Sequence, residues 1–512
     1  MTIGELVEKQ AQKYGDKTFL YWEDMTISYS QLNKLTNKVA NMLYDLGIRK
    51  GDKVSVFLPN MPEFVYLYLG IPKIGAVIGP VNALFKAREV HFVVNHSEAK
   101  ILVTIPKFMR IVNEVRDQLP HLKHVIVIGE PIENTLNYQE LMDQASDAAP
   151  PPVSINEKDD PAAILYTSGT TGFPKGVLQT HFNIKRNAEM LVEALKPEPD
   201  YRFMLILPLF HVNAQIVTVM TPLTIGASCI LTPGFSAKKH WDLVAKYRAS
   251  TFSAVPTILS ILLRMPHENL DLSSLKFVIC GAAPLPIEVM KEFESTFNCK
   301  IVEGYGLTEG TCASSVNPMP TETEDRRKIG SIGIPLPGTE MKIVDENGNE
   351  VPPGVKGEII VKGDNVMKGY FKNPEANAET LKNGWLYTGD IGYMTEDGFF
   401  YIVDRKKDMI IRGGENIYPR EIEEVLYSFP GVSLAAVIGV PDEIYGEVPK
   451  AFVVMKEGAT ASADEIIAYC KKNLADFKVP QYVEFRDDLP KNPTGKIMKV
   501  PLREEEKAKA KK

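Results

Sequence analysis

The 512-residue chain is 24% charged and 44% hydrophobic, with a formal net charge of −7. That length calls for two or more domains with sizeable cores, and the mildly acidic balance excludes the electrostatic footprint of a nucleic-acid binder. Five scattered cysteines (Cys229, Cys280, Cys299, Cys312 and Cys470) form no C-x-x-C pair, which argues against a disulfide framework or a zinc site and predicts a reducing, cytoplasmic setting. The opening MTIGELVEKQ mixes acidic with apolar residues and does not read as a signal peptide. From there short β-branched runs alternate with helical patterns: KVSVFLP, KILVTI, HVIVIG and AAILYTS, then later LKFVICG and CKIVEG. Such alternation predicts parallel, doubly wound sheets that bind ligands at the C-terminal ends of their strands. The stretch AAPPP (148–152) reads as a surface connection between blocks.

The run YTSGTTGFPKGVLQTH (166–181) sets Thr167, Ser168, Thr170 and Thr171 among Gly169, Gly172 and Gly176, with Lys175 behind Pro174. Glycines let backbone N–H groups approach an anion, hydroxyls add donors, and a lysine adds the point charge that phosphate attracts. A plain flexible loop would not follow the strand-like run 162–166, so a phosphate loop is the better reading. The common pattern G-x-x-x-x-G-K-[ST] fails here, because Pro174 stands where glycine is needed and Gly176 where a metal-binding hydroxyl is needed. A metal must then be held elsewhere.

Further along, VNAQIVTVMTPL (212–223) places apolar residues at helical spacing, which suits a tunnel wall or plain core. The longest apolar run, 216–231, is interrupted by threonines, Pro222 and Gly226 and is too short to span a bilayer. In EGYGLTE (303–309), Tyr305 between glycines could stack on a flat base, or simply be a buried tyrosine in a tight turn. Thr308 offers a donor for phosphate and Glu309 a hard oxygen for magnesium. Residues 337–363 hold a turn at Glu346-Asn347-Gly348 between alternating strands, predicting an antiparallel, barrel-like subdomain. Asp390, after Gly389, suits ribose hydroxyls, and Arg405 could reach the same sugar.

The charge cluster DRKKD (404–408) lies between two strand-like runs, FFYIV and MIIRGG, and reads as a hinge. It divides a large domain, 1–404, from a small α+β domain, 405–512, with an amphipathic helix from Pro419 to Leu426 and a sheet strand in LAAVIGV. In LPKNPTGK (489–496) two prolines and a glycine stiffen a loop that presents Lys496, a charge to be delivered when the small domain closes. The tail REEEKAKAKK reads as a solvated, fraying helix end.

Together these segments, from SYSQLN (28–33) to Lys496 and in the same order, resemble the ANL superfamily of acyl-CoA synthetases, peptide-synthetase adenylation domains and luciferases. The resemblance implies an α/β fold: a large N-terminal domain of two doubly wound sheets plus a β-barrel-like subdomain, with a small mobile α+β C-terminal domain. It implies ATP, Mg²⁺ and coenzyme A as cofactors, with the 166–176 loop clamping the β- and γ-phosphates and Glu309 serving magnesium. Gly281, Ala282, Ala283 and Tyr305 would frame adenine, Thr308 would touch the α-phosphate, and Asp390 and Arg405 would hold the ribose. Lys496 matches the adenylation lysine and Lys407 the hinge position, while Gly413 and Gly414 resemble glycines beside which pantetheine passes. His211 matches a position that lines and gates the acyl channel.

The implied reaction forms acyl-AMP and pyrophosphate, after which a thiol displaces AMP. The segments 383–407 and 412–426 resemble the fatty-acyl-CoA ligase branch, departing from it at Asn383, where Asp is usual, and at Tyr387, where His is common. Val212 stands where amino-acid-activating relatives carry an aspartate, which argues against amino acids. A medium- or long-chain fatty acid is therefore the expected substrate. An aryl, hydroxycinnamate-like or dicarboxylic acid, a separate carrier protein as acceptor, and a catalytically inactive nucleotide-binding regulator are the other readings. The sequence leaves monomer or homodimer open, and it advertises no basic amphipathic helix for a membrane surface, while leaving peripheral contact open.

Overall fold

A computed structural model of the chain describes residues 1–509 apart from 168–173, 284, 322, 414 and 493–494. The β-branched runs pair into two large sheets. One has eight strands in the spatial order Gly369–Tyr370, Lys175–Thr180, Pro161–Thr167, Val77–Pro80, Lys53–Val56, Ala99–Thr104, His124–Val127 and Leu136–Asn137. It is parallel from Pro161–Thr167 onward, and its first two strands are antiparallel additions. The other has nine strands, with a parallel centre running from Lys300–Tyr305 through Phe277–Cys280, Thr251–Ala254, Arg202–Leu205 and Ser228–Leu231 to Thr18–Trp22.

Helices between these strands start where the sequence supplies caps. Thr2 with Glu5 opens Ile3–Tyr14, Ser28 with Gln31 opens Tyr29–Asp45, and Thr180 with Asn183 opens His181–Leu195. The apolar run 212–223 is helical and buried from Ala214 to Leu223, with a π-helical segment at Ile216–Met220 that spacing alone did not indicate. Among the described residues no helix is long and apolar enough to cross a membrane.

Residues 339–405 build a five-stranded antiparallel sheet: Thr339–Val344, Gly357–Gly363, Trp385–Met394 and Leu381–Lys382, with Phe400–Arg405 also on Trp385–Met394. The expected turn closes with the Gly348 N–H donating to the Asp345 carbonyl. The next strand after Arg405, Ile410–Arg412, lies in a different sheet, shared with Glu415–Ile417, Gly446–Met455, Val432–Asp442 and Tyr482–Phe485. Helices Pro419–Ser428 and Ala463–Asn473 share one apolar cluster of this sheet, and Leu502 joins a second one.

One expectation is overturned. The tail does not fray over its described length: Lys499–Lys509 is a helix with Leu502 fully buried, Arg503 paired to Asp408 at 2.8 Å and Lys450 paired to Glu506 at 2.9 Å. The charges that look solvating in sequence find partners on the sheet and at the hinge.

Candidate active site

The strand Lys300–Tyr305 ends at the sheet's C-terminal edge, and the chain turns sharply there. A side chain at Gly306 would place its Cβ 1.6 Å from the Cys312 carbonyl oxygen, so only glycine lets the 306–312 turn close. Tyr305 is buried, and its hydroxyl donates to Asp390 Oδ2 at 2.6 Å. Asp390 itself is 5% exposed and stands directly across the strand pair from Arg405, whose Nε lies 3.2 Å from Oδ1. Tyr305 is thus a buried tyrosine whose polar tip is bonded to the carboxylate of a charged pair. Desolvation disfavours the Arg405 charge, but the carboxylates of Asp390, Asp408 and Glu309 hold its pKa above the ordinary value. Gly281, Ala282 and Ala283 form the turn after Phe277–Cys280, one strand over, with Ala282 at φ +66°.

A second group gathers around Lys175, at the end of the loop expected to bind phosphate. Thr167 pairs with Lys175 across the antiparallel strands that bracket it. Ser168, Gly169, Thr170, Thr171 and Gly172 lie outside the described residues. The Lys175 ammonium sits 4.9 Å above the ring of Tyr370, and the Tyr370 hydroxyl donates to Glu309 Oε1 at 2.9 Å. Thr308 and Glu309 occupy a single 3₁₀ turn, Thr308–Gly310. That turn is fixed by Gln179, which is fully buried and donates through Nε2 to the carbonyls of Thr308 (3.0 Å) and Thr311 (3.1 Å). Neither Tyr370 nor Gln179 was legible as a site residue. Each is far from Glu309 in sequence, and only the pairing of Gly369–Tyr370 and Lys175–Thr180 on one sheet edge brings them together.

Lys496 reaches the first group from the small domain. Its loop is clasped by the Asn492 N–H on the Lys496 carbonyl and the Gly495 N–H on the Asn492 carbonyl, each 2.8 Å. Thr257, at the start of helix Pro256–Leu262, donates through Oγ1 to the Gly495 carbonyl at 2.8 Å. Gly495 has φ +87°, and a Cβ there would lie 2.9 Å from that hydroxyl oxygen, so the close approach of the two domains needs glycine. Desolvation and the Arg405 charge pull the half-buried Lys496 ammonium down to about 8, against Asp390 and Asp408, which favour the charged form. Lys407 is likewise lowered by desolvation and by Arg405. Gly413 adopts φ +59° and donates its N–H to the Tyr445 carbonyl, and Gly414 lies outside the described residues.

His211 stands apart. It precedes the buried helical run, and burial pulls its pKa down to about 4, so it is neutral near pH 7. Its Nε2 and the Asn213 Oδ1 are buried without a hydrogen-bond partner among the described residues. The turn before it is held by Asn60, which accepts from the Leu209 N–H at 2.7 Å and donates to the Leu207 carbonyl at 3.0 Å.

The geometry therefore brings together a buried tyrosine bonded to a carboxylate–arginine pair, a lysine from the 489–496 loop, and a tyrosine that joins Lys175 to Glu309 beside a glycine-rich loop. Glu309 presents a single hard oxygen donor with its partner oxygen tied to Tyr370. That suits magnesium, which keeps most of its ligands as phosphate oxygen and water.

The model of the AMP-binding enzyme family matches residues 7–371, and that of the AMP-binding enzyme C-terminal domain matches residues 421–496. A long-chain-fatty-acid–CoA ligase of Bacillus subtilis (strain 168) is 37% identical over 99% of this chain and 94% of its own length. A crotonobetaine/carnitine–CoA ligase of Salmonella heidelberg (strain SL476) is 35% identical over 98% of both chains. The solved structure of an anthranilate CoA ligase in complex with anthranoyl-AMP superposes with a TM-score of 0.93 at 28% identity, covering 100% of this chain and 98% of that one.

Proposed function

The chain belongs to the AMP-binding enzyme family and is an AMP-forming acid–CoA ligase that uses ATP, magnesium and coenzyme A; on that premise we propose that its acid is a fatty acid of medium or long chain. The observation that carries the substrate reading is the helical run behind His211. Ala214, Ile216, Val217, Val219, Met220 and Leu223 are all buried and apolar there, and Val212 offers no charge to a substrate amine. These side chains pack in the main apolar core, and where that run borders an acyl channel it would favour an apolar tail by about 0.8 kcal/mol per buried methylene.

In the same proposal, Tyr305 and the 281–283 turn hold the base, and Asp390 and Arg405 hold the ribose. Lys175 and the loop before it hold the β- and γ-phosphates, with Thr308 on the α-phosphate. The substrate carboxylate attacks the α-phosphorus, forming the acyl–phosphate bond while the bond to the bridging oxygen of pyrophosphate breaks. Negative charge develops on the oxygens between carboxylate and phosphorus, and Lys496 is placed to stabilise it without giving up a proton. Glu309 would hold the magnesium, which would neutralise phosphate charge. The small domain, 405–512, then turns about Lys407 and brings Gly413 and Gly414 beside the thiol arm. The thiolate sulfur attacks the acyl carbonyl and AMP leaves.

A second reading has its own support: Nε2 of His211 and Oδ1 of Asn213, without a partner among the described residues, would suit a short acid with a polar or aryl tail, since buried polar atoms seek partners. Pyrophosphate release with MgATP, measured across acetate to palmitate, cinnamates, dicarboxylates, crotonobetaine and anthranilate, with and without CoA, separates the two. A maximum among straight-chain acids of eight or more carbons supports the fatty acid. A maximum on a polar or aryl acid replaces it and keeps the chemistry.

A further inference from the structure

One physical link in the proposed phosphate subsite runs through Tyr370, which lies outside the motifs singled out in the sequence. Tyr370 lies in the two-residue strand Gly369–Tyr370, which extends the edge of the eight-stranded sheet by pairing antiparallel with Lys175–Thr180, Tyr370 opposite Val177. Its main chain is locked on both sides. Its N–H donates to Asn377 Oδ1 at 2.6 Å, its carbonyl accepts from Asn377 Nδ2 at 3.1 Å, and the Phe371 N–H donates to the Gly176 carbonyl at 2.7 Å. Three residues earlier, the Met367 N–H donates to the Glu309 carbonyl at 2.8 Å. The same short stretch therefore grips the backbone of the Glu309 turn and the backbone that follows Lys175.

The side chain of Tyr370 repeats that grip on the functional groups. It is 7% exposed, its hydroxyl is 2.9 Å from Glu309 Oε1, and its ring face lies 4.9 Å beneath the Lys175 ammonium. A carboxylate on a 3₁₀ turn has several rotamers, and a lysine has more. One donor fixes which Glu309 oxygen is occupied within the protein and which is left for a cation. One π face draws the ammonium by its quadrupole to a defined height.

We propose that Tyr370 is a positioning residue of the phosphate subsite, which aims the Glu309 carboxylate at the nucleotide-bound divalent cation and holds Lys175 over the phosphates at the same time. The proposal rests on the assignment of Lys175 and Glu309 made above. It differs from a packing role in predicting that removing the hydroxyl oxygen acts on the metal and leaves the base and ribose contacts alone.

The test uses the full chain, the variant Tyr370→Phe, and two probes that need no acid substrate. Mn²⁺ binding in the presence of α,β-methylene-ATP is titrated by the paramagnetic resonance of free Mn²⁺, and AMP binding without metal is titrated by calorimetry. Manganese accepts the same hard-oxygen donors as magnesium. Phenylalanine keeps the ring under Lys175, so the expected result is about a tenfold weaker Mn²⁺ affinity, the size of one hydrogen bond to a charged group, with AMP affinity within twofold of wild type. In a Glu309→Gln background the same Tyr370→Phe change should have no further effect on Mn²⁺, because the two act as one unit. Unchanged Mn²⁺ affinity in the single variant, or equal losses of Mn²⁺ and AMP affinity, overturns the proposal. A wild-type chain that binds AMP but shows no nucleotide-dependent Mn²⁺ binding overturns the Glu309 assignment itself, which is a different failure.

Discussion

The hydroxyl of Tyr305 and the carboxylate of Asp390, 85 residues apart in sequence, are joined by a 2.6 Å hydrogen bond in a buried setting. Burial and the Asp390 charge together push the Tyr305 phenol well above its ordinary pKa, so it stays a donor at every working pH. Asp390 then has one oxygen committed to Tyr305 and the other facing Arg405. Tyr305→Phe keeps the ring proposed to stack on the base and deletes the donor to a buried carboxylate, at a cost of about 1.5–3 kcal/mol. We expect AMP affinity to fall about tenfold or more, by calorimetry, with no shift in acid preference. An unchanged affinity would show that the pair only supports the fold.

How much of this could be read from the chain alone depends on the range over which each residue acts. The strands named from the sequence, a helix opening at Pro419 and the switch of sheets after Arg405 follow from local periodicity and turn residues, whereas strands such as Thr18–Trp22 and Arg202–Leu205 carried no such mark. The recognised motifs place Tyr305, Asp390, Arg405 and Lys496 near one another only through family likeness; their mutual distances come from the register Asp390–Arg405 and from the docking of the Lys496 loop on Thr257. Tyr370 and Gln179 were missed because a tyrosine in a β-rich stretch and a glutamine in a strand look like surface or core until the sheet edge is assembled. The π-helical segment at Ile216–Met220 is likewise invisible to a 3.6-residue spacing, since an inserted residue in a uniformly apolar run leaves no mark. The tail helix was misjudged for a related reason: charge density signals solvent only when no partners of opposite sign wait on the neighbouring sheet.

The Lys496 ammonium, at about 8, sits well below an ordinary lysine. A lowered pKa means that the charge is lost at a lower pH than usual, so the cation proposed to act in adenylation is present below about 8 and disappears above it. We expect kcat/KM for pyrophosphate release, which reports the free enzyme, to fall by one log unit per pH unit above about 8. Lys496→Arg should move that limb beyond the measurable range at a lower plateau, because guanidinium stays protonated but does not fit the ammonium's place. A limb that stays near 8 in the arginine variant would assign it to another group.

His211 makes the opposite prediction. Desolvation holds its pKa at about 4, so it is already neutral at pH 5.5 and does not change charge up to pH 8. The rate profile for a straight-chain acid should therefore show no imidazole step between those values. His211→Leu removes a buried nitrogen with no partner among the described residues, and for a fatty acid it should keep kcat/KM within about threefold, roughly 0.7 kcal/mol. A step near pH 6.5 that vanishes in His211→Leu would mean that the imidazole is exposed to protons and takes part in the chemistry.

The contact between Thr257 and Gly495 links the two domains at the point where Lys496 is delivered. The hydroxyl belongs to the large domain and the carbonyl to the lysine loop, so the bond exists only while the small domain sits as it does here. Thr257→Val keeps the shape and deletes the donor, which removes about 1 kcal/mol from that arrangement alone. If Lys496 acts in acyl-AMP formation and then withdraws, the variant should slow pyrophosphate release about fivefold while leaving thioester formation from pre-formed acyl-adenylate and CoA unchanged or slightly faster. Single-turnover measurements of the two steps separate these outcomes, because a loss confined to the first step reflects the population of the closed arrangement. Equal slowing of both steps would mean that Thr257 supports the helix Pro256–Leu262 and not the domain contact, and the delivery of Lys496 would then have to depend on other contacts such as Arg264 with Ser433, 3.1 Å apart.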